Sequence, residues 1–227
     1  MTVEGTTVPV DEDGQRPRVR MSGQARRAQL ISIGRTLFAE KGYEAASVEE
    51  IAERAKVSKP VVYEHFGGKE GLYAVIVDHE VARLLERVTK ALEADHPRVA
   101  LEQAADAFLS YIEDEAEGFR ILVRDAPVVG STGSLSAVIG DIAANVEHVL
   151  AREFKARGYD RRMAPVMARA LVGMVALTGQ WWLDAGKPSR RVVAAQLVDL
   201  AWNGLKDLDK EPLKRRPTNG APSRART

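Results

Sequence analysis

Between residues 58 and 61 the chain places side chains able to meet a polyanion. Ser58 and Lys59 supply a hydroxyl and an ammonium. Such groups donate to phosphate oxygens, and a lysine can also donate to guanine O6 or N7. Pro60 and Val61 follow them and offer apolar contact to a thymine methyl. Upstream, Arg16, Arg18, Arg20, Arg26 and Arg27 crowd a short stretch. Arginines on an N-terminal arm can enter a minor groove. The formal net charge is only +1, so it is this distribution that points to nucleic acid.

Other chemistries find less support. There is no cysteine, which removes disulfides, thiolate zinc sites and cysteine nucleophiles. The histidines are His65, His79, His96 and His148. Asp78, His79 and Glu80 are consecutive, so on a helix they splay and cannot converge on one metal. Glu147 and His148 share that fault. Gly130-Ser131-Thr132-Gly133-Ser134 lacks the Gly-Lys-Ser/Thr ending of a phosphate loop and a preceding strand. No catalytic set, metal site or cofactor is expected. An enzyme assembled from distant residues is the competing class, and turnover without DNA binding would favour it.

The donors need elements to carry them. Leu30, Ile33, Leu37 and Phe38 recur at helical spacing, and Gly42 ends that first helix. Ser47-Val48-Glu49-Glu50 fits a capping box, with Ser47 accepting from an amide and Glu50 reaching back. A short second helix carries Ile51 and Ala55. Ser58 is expected to cap a third, whose first turn tolerates Pro60. Gly67-Gly68 ends it. Two short helices joined by a tight turn make a helix-turn-helix, with the third helix as reader of the major groove. Helical patterns continue over about Lys69–Ala94, Pro97–Ala116, Phe119–Asp125, Leu135–Ala156, Arg161–Asp184 and Ser189–Leu208. Strand-like alternation is absent, so the fold class is all-α with about nine helices.

Phe38 to Tyr43, Ser47 to Ala52, Val57-Ser58, Val62 to Phe66, Lys69-Glu70 and Leu72 together resemble the TetR family of regulators. The match covers about residues 25 to 75. Lys59-Pro60 replaces the Gly-Thr or Gly-Ala frequent there, so base preference does not carry over from other branches. The resemblance implies that Ser47, Tyr63, His65 and Lys69 touch phosphates. It also implies a dimeric, ligand-responsive regulator of a palindromic operator, with repression as the default.

The later helices are expected to hold the effector and the dimer face. Met163, Met167, Ala170, Met174, Leu177 and Trp181 form one apolar stripe, and Leu171, Val175, Thr178 and Trp182 a second. Two stripes mean burial on two sides. A homodimer through the last two helices follows, the final one carrying Val193, Leu197, Leu200, Gly204 and Leu208. Phe108, Tyr111, Ile112, Phe119, Ile142, Asn145, Val146, Val175, Thr178 and Trp182 are the expected effector contacts, around a helix break at Gly118. Few charges fall on these inward faces, so a small hydrophobic effector is expected. Leu171 to Val175 with Trp182-Leu183-Asp184 resembles actinobacterial regulators of lipid metabolism that sense long-chain acyl-CoA. A constitutive DNA-binding protein would need fewer helices than these.

The expected organisation is a disordered basic arm over 1–23, a helix-turn-helix domain over 24–70, an effector-binding and dimerisation domain over 71–208, and a disordered basic tail over 209–227. The start of the chain lacks signal-peptide features, and no apolar run approaches the roughly 20 residues that cross a bilayer. A cytoplasmic protein without membrane contact is the expectation.

Overall fold

A computed structural model describes residues 21–124, 135–206 and 208. The arm through Arg20, the Gly130–Ser134 stretch and the tail from 209 lie outside the described residues. Among the described residues there are nine α-helices and no strand. They are α1 (Gly23–Lys41), α2 (Val48–Ala55), α3 (Lys59–Phe66), α4 (Lys69–Ala91), α5 (Pro97–Asp114), α6 (Ala116–Arg124), α7 (Leu135–Arg157), α8 (Ala164–Ala185) and α9 (Arg190–Lys206). A 3-10 turn over Arg161–Met163 leads into α8.

Local chemistry sets the ends of the first helices. Ser22 Oγ accepts from Ala25 N at 3.2 Å and starts α1. Ser47 Oγ accepts from Glu50 N at 3.1 Å and starts α2. The reciprocal half of the expected capping box is not formed. Glu50 instead accepts from Lys41 at 2.7 Å and Arg54 at 3.1 Å. Ser58 begins α3 without the expected side-chain cap. The reason is local: a cap needs the amide two or three positions on, Pro60 has none, and Val61 N already donates to Ser58 O at 3.0 Å. Gly67, at φ 74°, closes α3 by donating its N–H to Tyr63 O.

Leu30, Leu37 and Phe38 of α1 pack with Ile51, Val62, Leu72 and Ile76 into the core beneath α2 and α3. Phe38, Tyr43 and Tyr73 stack there, two of the pairs edge to face. The body is built by α4 on α5, α7 on α8 and α5 on α9. α1 packs onto both α4 and α6, joining head to body.

Two expectations are corrected. The break lies at Glu115, between α5 and α6, while Gly118 sits inside α6. A Cβ at Gly118 would stand 2.0 Å from Glu80 Oε2, so glycine is there for close approach and not to end a helix. The second concerns membranes. The helical span Arg161–Ala185 is long and apolar enough, by length and composition, to cross one. Its apolar residues run on past the isolated Arg169, which a search for an unbroken run misses.

Candidate nucleic-acid interface and ligand cavity

α3, the expected reading helix, presents a polar edge. Ser58, Lys59, Pro60 and Tyr63 are exposed, while Val62 is buried and Val61 and His65 are half-buried. Phe66 packs against the core and lies under the Arg27 guanidinium, 4.9 Å from its ring centre. The uncapped Ser58 hydroxyl and Lys59 stand at the start of α3, where the helix dipole favours an anion. Ser47 lies half-buried at the start of α2. Arg26 is tied to Gln29 at 2.7 Å. Lys69 is placed differently from the phosphate role implied for it: its ammonium donates to the carbonyls of Tyr43, Ala46 and Glu44 at 2.9, 3.1 and 3.4 Å. It pins the loop before α2 to the start of α4.

A residue that sequence reasoning passed over stands on the same edge. Glu49 pairs with Lys59 across the turn. That hydrogen bond holds the Glu49 carboxyl below its ordinary range and raises the Lys59 ammonium above its own. The signal lay in its spacing, two residues beyond Ser47 on the exposed side of α2.

Beneath the head lies an ionic joint. Arg35 of α1 donates to Glu80 at 2.8 Å, Glu115 at 2.7 Å and Glu117 at 3.2 Å. Arg83 also pairs with Glu115. Glu80, on α4, is 1% exposed and accepts the Tyr111 hydroxyl at 2.6 Å. Burial works against the Arg35 charge, but Glu80, Glu115 and Glu117 outweigh it and hold its pKa above the ordinary value. Burial, followed by the hydrogen bond to Glu80, drives the Tyr111 phenol far above its usual range. The joint ties α1, α4, α5 and α6 together with every buried polar side chain among the described residues satisfied.

An apolar cavity, partly open to solvent, lies among α4, α5, α7 and α8. Its lining side chains are all apolar. Phe108, Ile142, Val146 and Val175, expected as effector contacts, line it. So do Leu84, Val88 and Leu92 along α4. The others are placed elsewhere. Tyr111 turns to Glu80, and Phe119 packs edge to face on Phe108 and Tyr111 behind the cavity wall. Ile112 is buried near Gly179. Trp182 donates its indole N–H to Pro188 O at 2.7 Å. Thr178 lines an outer groove with Trp181 and Leu200. Asn145 faces a polar cleft with His148 and Arg152, which meets the cavity at Leu92.

The two stripes of α8 have separate fates. Leu171 and Val175 line the cavity. Met163, Leu177 and Trp181 face outward, Leu177 69% and Trp181 57% exposed. On α9, Val193 and Leu197 are buried while Leu200 is exposed.

Comparison with known proteins decides the family. Residues 30–76 match the family described as bacterial regulatory proteins, tetR family, and residues 97–204 the tetracyclin repressor-like C-terminal domain. The HTH-type transcriptional activator FasR of Mycolicibacterium smegmatis is 31% identical over 196 residues, 85% of this chain and 88% of that protein. The chain belongs to the TetR family. It is a DNA-binding transcriptional regulator, not an enzyme. An HTH-type transcriptional repressor of Mycobacterium tuberculosis is 35% identical over 79 residues, 35% of this chain and 40% of that one. Among solved structures, the TetR-family regulator PfmR of Thermus thermophilus superposes with a TM-score of 0.65 at 28% identity, covering 78% of this chain and 99% of that chain. A TetR-like regulator from Rhodococcus gives the same TM-score at 23% identity, covering 83% and 100%, a likeness of fold. For a TetR-family chain, α2 and α3 are the helix-turn-helix.

Proposed function

We propose that this TetR-family regulator binds a palindromic duplex operator as a homodimer, and that a small hydrophobic effector in the apolar cavity changes that affinity. One observation carries the reading. α4 meets the reading helix at Gly67-Gly68 and lines the cavity four to six turns later through Leu84, Val88 and Leu92. A guest that prefers one tilt of α4 shifts the population of reading-head positions. The exposed stripe of α8 and Leu200 of α9 supply a self-complementary apolar face, and a second copy on it would give the two heads that two half-sites need. That partner also covers the surface that would otherwise make α8 resemble a membrane span. The cytoplasm is where such a protein meets its operator.

A long-chain acyl group, as in acyl-CoA, is the proposed class of guest. It is supported by a cavity without polar side chains. Repression is the proposed sign of control, although FasR is named an activator and the named repressor matches only 79 residues. The test begins with selection of bound sequences from a random duplex pool. Gel shifts on the selected operator then follow, with a panel of acyl-CoAs. A change of about 5–150-fold in affinity is expected. Equal affinity across the whole panel removes the acyl effector. A reporter whose promoter overlaps the operator should fall on expression of the protein, and a rise would reverse the sign.

A further inference from the structure

Glu49 is an anion paired with Lys59, on the edge where Ser58 and Tyr63 are exposed. Its side chain is 64% exposed, in the first turn of α2, and its ion-pair partner is Lys59 at the start of α3, itself 47% exposed. The pair bridges the two helices of the motif at the end where Ser47 and Ser58 also lie. Lys59 Nζ stands 5.9 Å from the Tyr63 ring centre, so the ammonium is flanked by carboxylate and phenol. An exposed ion pair contributes little to stability. The fold has no need of it.

A carboxylate facing a duplex has two consequences. It repels phosphates, weakening binding by about threefold for each one held at roughly 7 Å in water-like screening. It also accepts hydrogen bonds from base edges, and cytosine N4 is a donor of that kind. On the same pair, guanine O6 and N7 accept from an ammonium. A carboxylate beside an ammonium is therefore the complement of a C·G pair seen from the major groove. An A·T pair also carries a donor, adenine N6, between the acceptors N7 and O4, so the discrimination against it rests on the different register of these groups and on the thymine methyl, which would strip water from the ions without replacing it.

We propose that Glu49 and Lys59 act as one reading unit that recognises a C·G pair in each half-site, with Glu49 lowering affinity for all other sequences. This rests on the DNA-facing reading of α3 given above. Free in solution, each holds the other in place, so neither has to be ordered when the correct pair arrives.

The experiment uses the full chain and three variants, Glu49→Gln, Lys59→Met and the double. Each is put through selection from a random duplex pool, then titrated by anisotropy against the selected duplex and a random-sequence duplex at several salt concentrations. Wild type should enrich a C·G pair at one fixed position per half-site. Glu49→Gln should bind random duplex about threefold tighter. Its log–log salt slope should steepen by about 0.9 as Lys59 turns to a phosphate. Its discrimination at the fixed pair should fall by about 5–150-fold. Lys59→Met should lose the same discrimination without gaining affinity for random duplex, and the double variant should lose little more. Matching circular dichroism and melting curves exclude misfolding as the cause. An unchanged motif, slope and random-duplex affinity in Glu49→Gln overturns the pairing. If wild type binds no duplex at all, the DNA-facing reading falls with it, a result distinct from binding that is indifferent to Glu49.

Discussion

Replacing Arg35 by methionine should cost this protein a large fraction of its stability, because the change strands a charge. Methionine keeps most of the aliphatic stem and removes the guanidinium. Glu80, 1% exposed, would keep the Tyr111 hydroxyl at 2.6 Å, with His79 Nδ1 at 3.9 Å and Arg83 at 4.0 Å as more distant neighbours. Breaking a buried ion pair from one side costs about 3–5 kcal/mol. The lower end applies here, because Arg83 can close on Glu80. Against a total of about 5–15 kcal/mol, that is severe. Replacing Glu80 by leucine should cost less, about 1–3 kcal/mol for the stranded Tyr111 hydroxyl, since Arg35 retains Glu115 and Glu117. The double variant should fall short of the sum by more than about 0.5 kcal/mol. Urea unfolding followed by far-ultraviolet circular dichroism, at one protein concentration, measures all three. With a slope of about 2 kcal/mol per molar, the Arg35→Met midpoint moves down by about 1.5 M. A cost below about 1 kcal/mol, the value of a surface pair, would refute the reasoning. So would equal single costs that simply add.

Three further outcomes follow. Gly118→Ala should lower the melting temperature although alanine favours helix by up to about 1 kcal/mol, because its Cβ meets Glu80 Oε2 at 2.0 Å; a rise in melting temperature would show that the joint yields easily. Above pH 10 the Tyr111 phenol, its pKa raised by burial, stays protonated in the folded chain while the unfolded chain releases that proton. Its stabilising contribution is whole below pH 10 and is lost as pH climbs towards the folded value, by up to about 1.4 kcal/mol per unit. Tyr111→Phe should remove that slope from a pH series of urea midpoints, and parallel curves would contradict it. Gly179→Ala places a Cβ 2.6 Å from both Phe108 Cε1 and Ile112 Cδ1. Phe108 should be driven into the cavity, weakening an apolar fluorescent probe by about tenfold, the scale of modest overpacking; unchanged probe affinity would show that Phe108 holds its place.

The reading head was legible because its signals are local. Ser47, Pro60 and the paired glycines act within one turn of themselves, and spacing alone displays them. Ser58 went astray through a local detail, the missing amide of Pro60. The ionic joint was not legible as a joint, since Arg35 and Glu80 lie 45 residues apart. A trace of it was present. Leu72, Ile76, Glu80, Leu84 and Val88 step by four, which sets Glu80 on the buried stripe of α4. As a consecutive run Asp78-His79-Glu80 raises the question of metals, whereas the four-residue step alone marks Glu80 for burial. The cavity was half legible, because periodicity tells which face is apolar and not what covers it. Tyr111, Phe119 and Phe108 share one region in sequence, yet only Phe108 reaches the cavity. Likewise the stripe of Leu177 and Trp181 reads as buried in sequence and stands exposed in the single chain.

Under the proposed function, the bare hydrocarbon lining of the cavity limits what an effector could convey to α3. Without a donor or acceptor among its side chains, the cavity cannot penalise a molecule for lacking one. It responds to size and shape, at about 0.8 kcal/mol or roughly fourfold for each methylene enclosed, until the space is full. Under the proposed function, such a receptor would work as a gauge with a soft scale: neighbouring homologues would blur together, and the signal would sum over a population of molecules rather than name one.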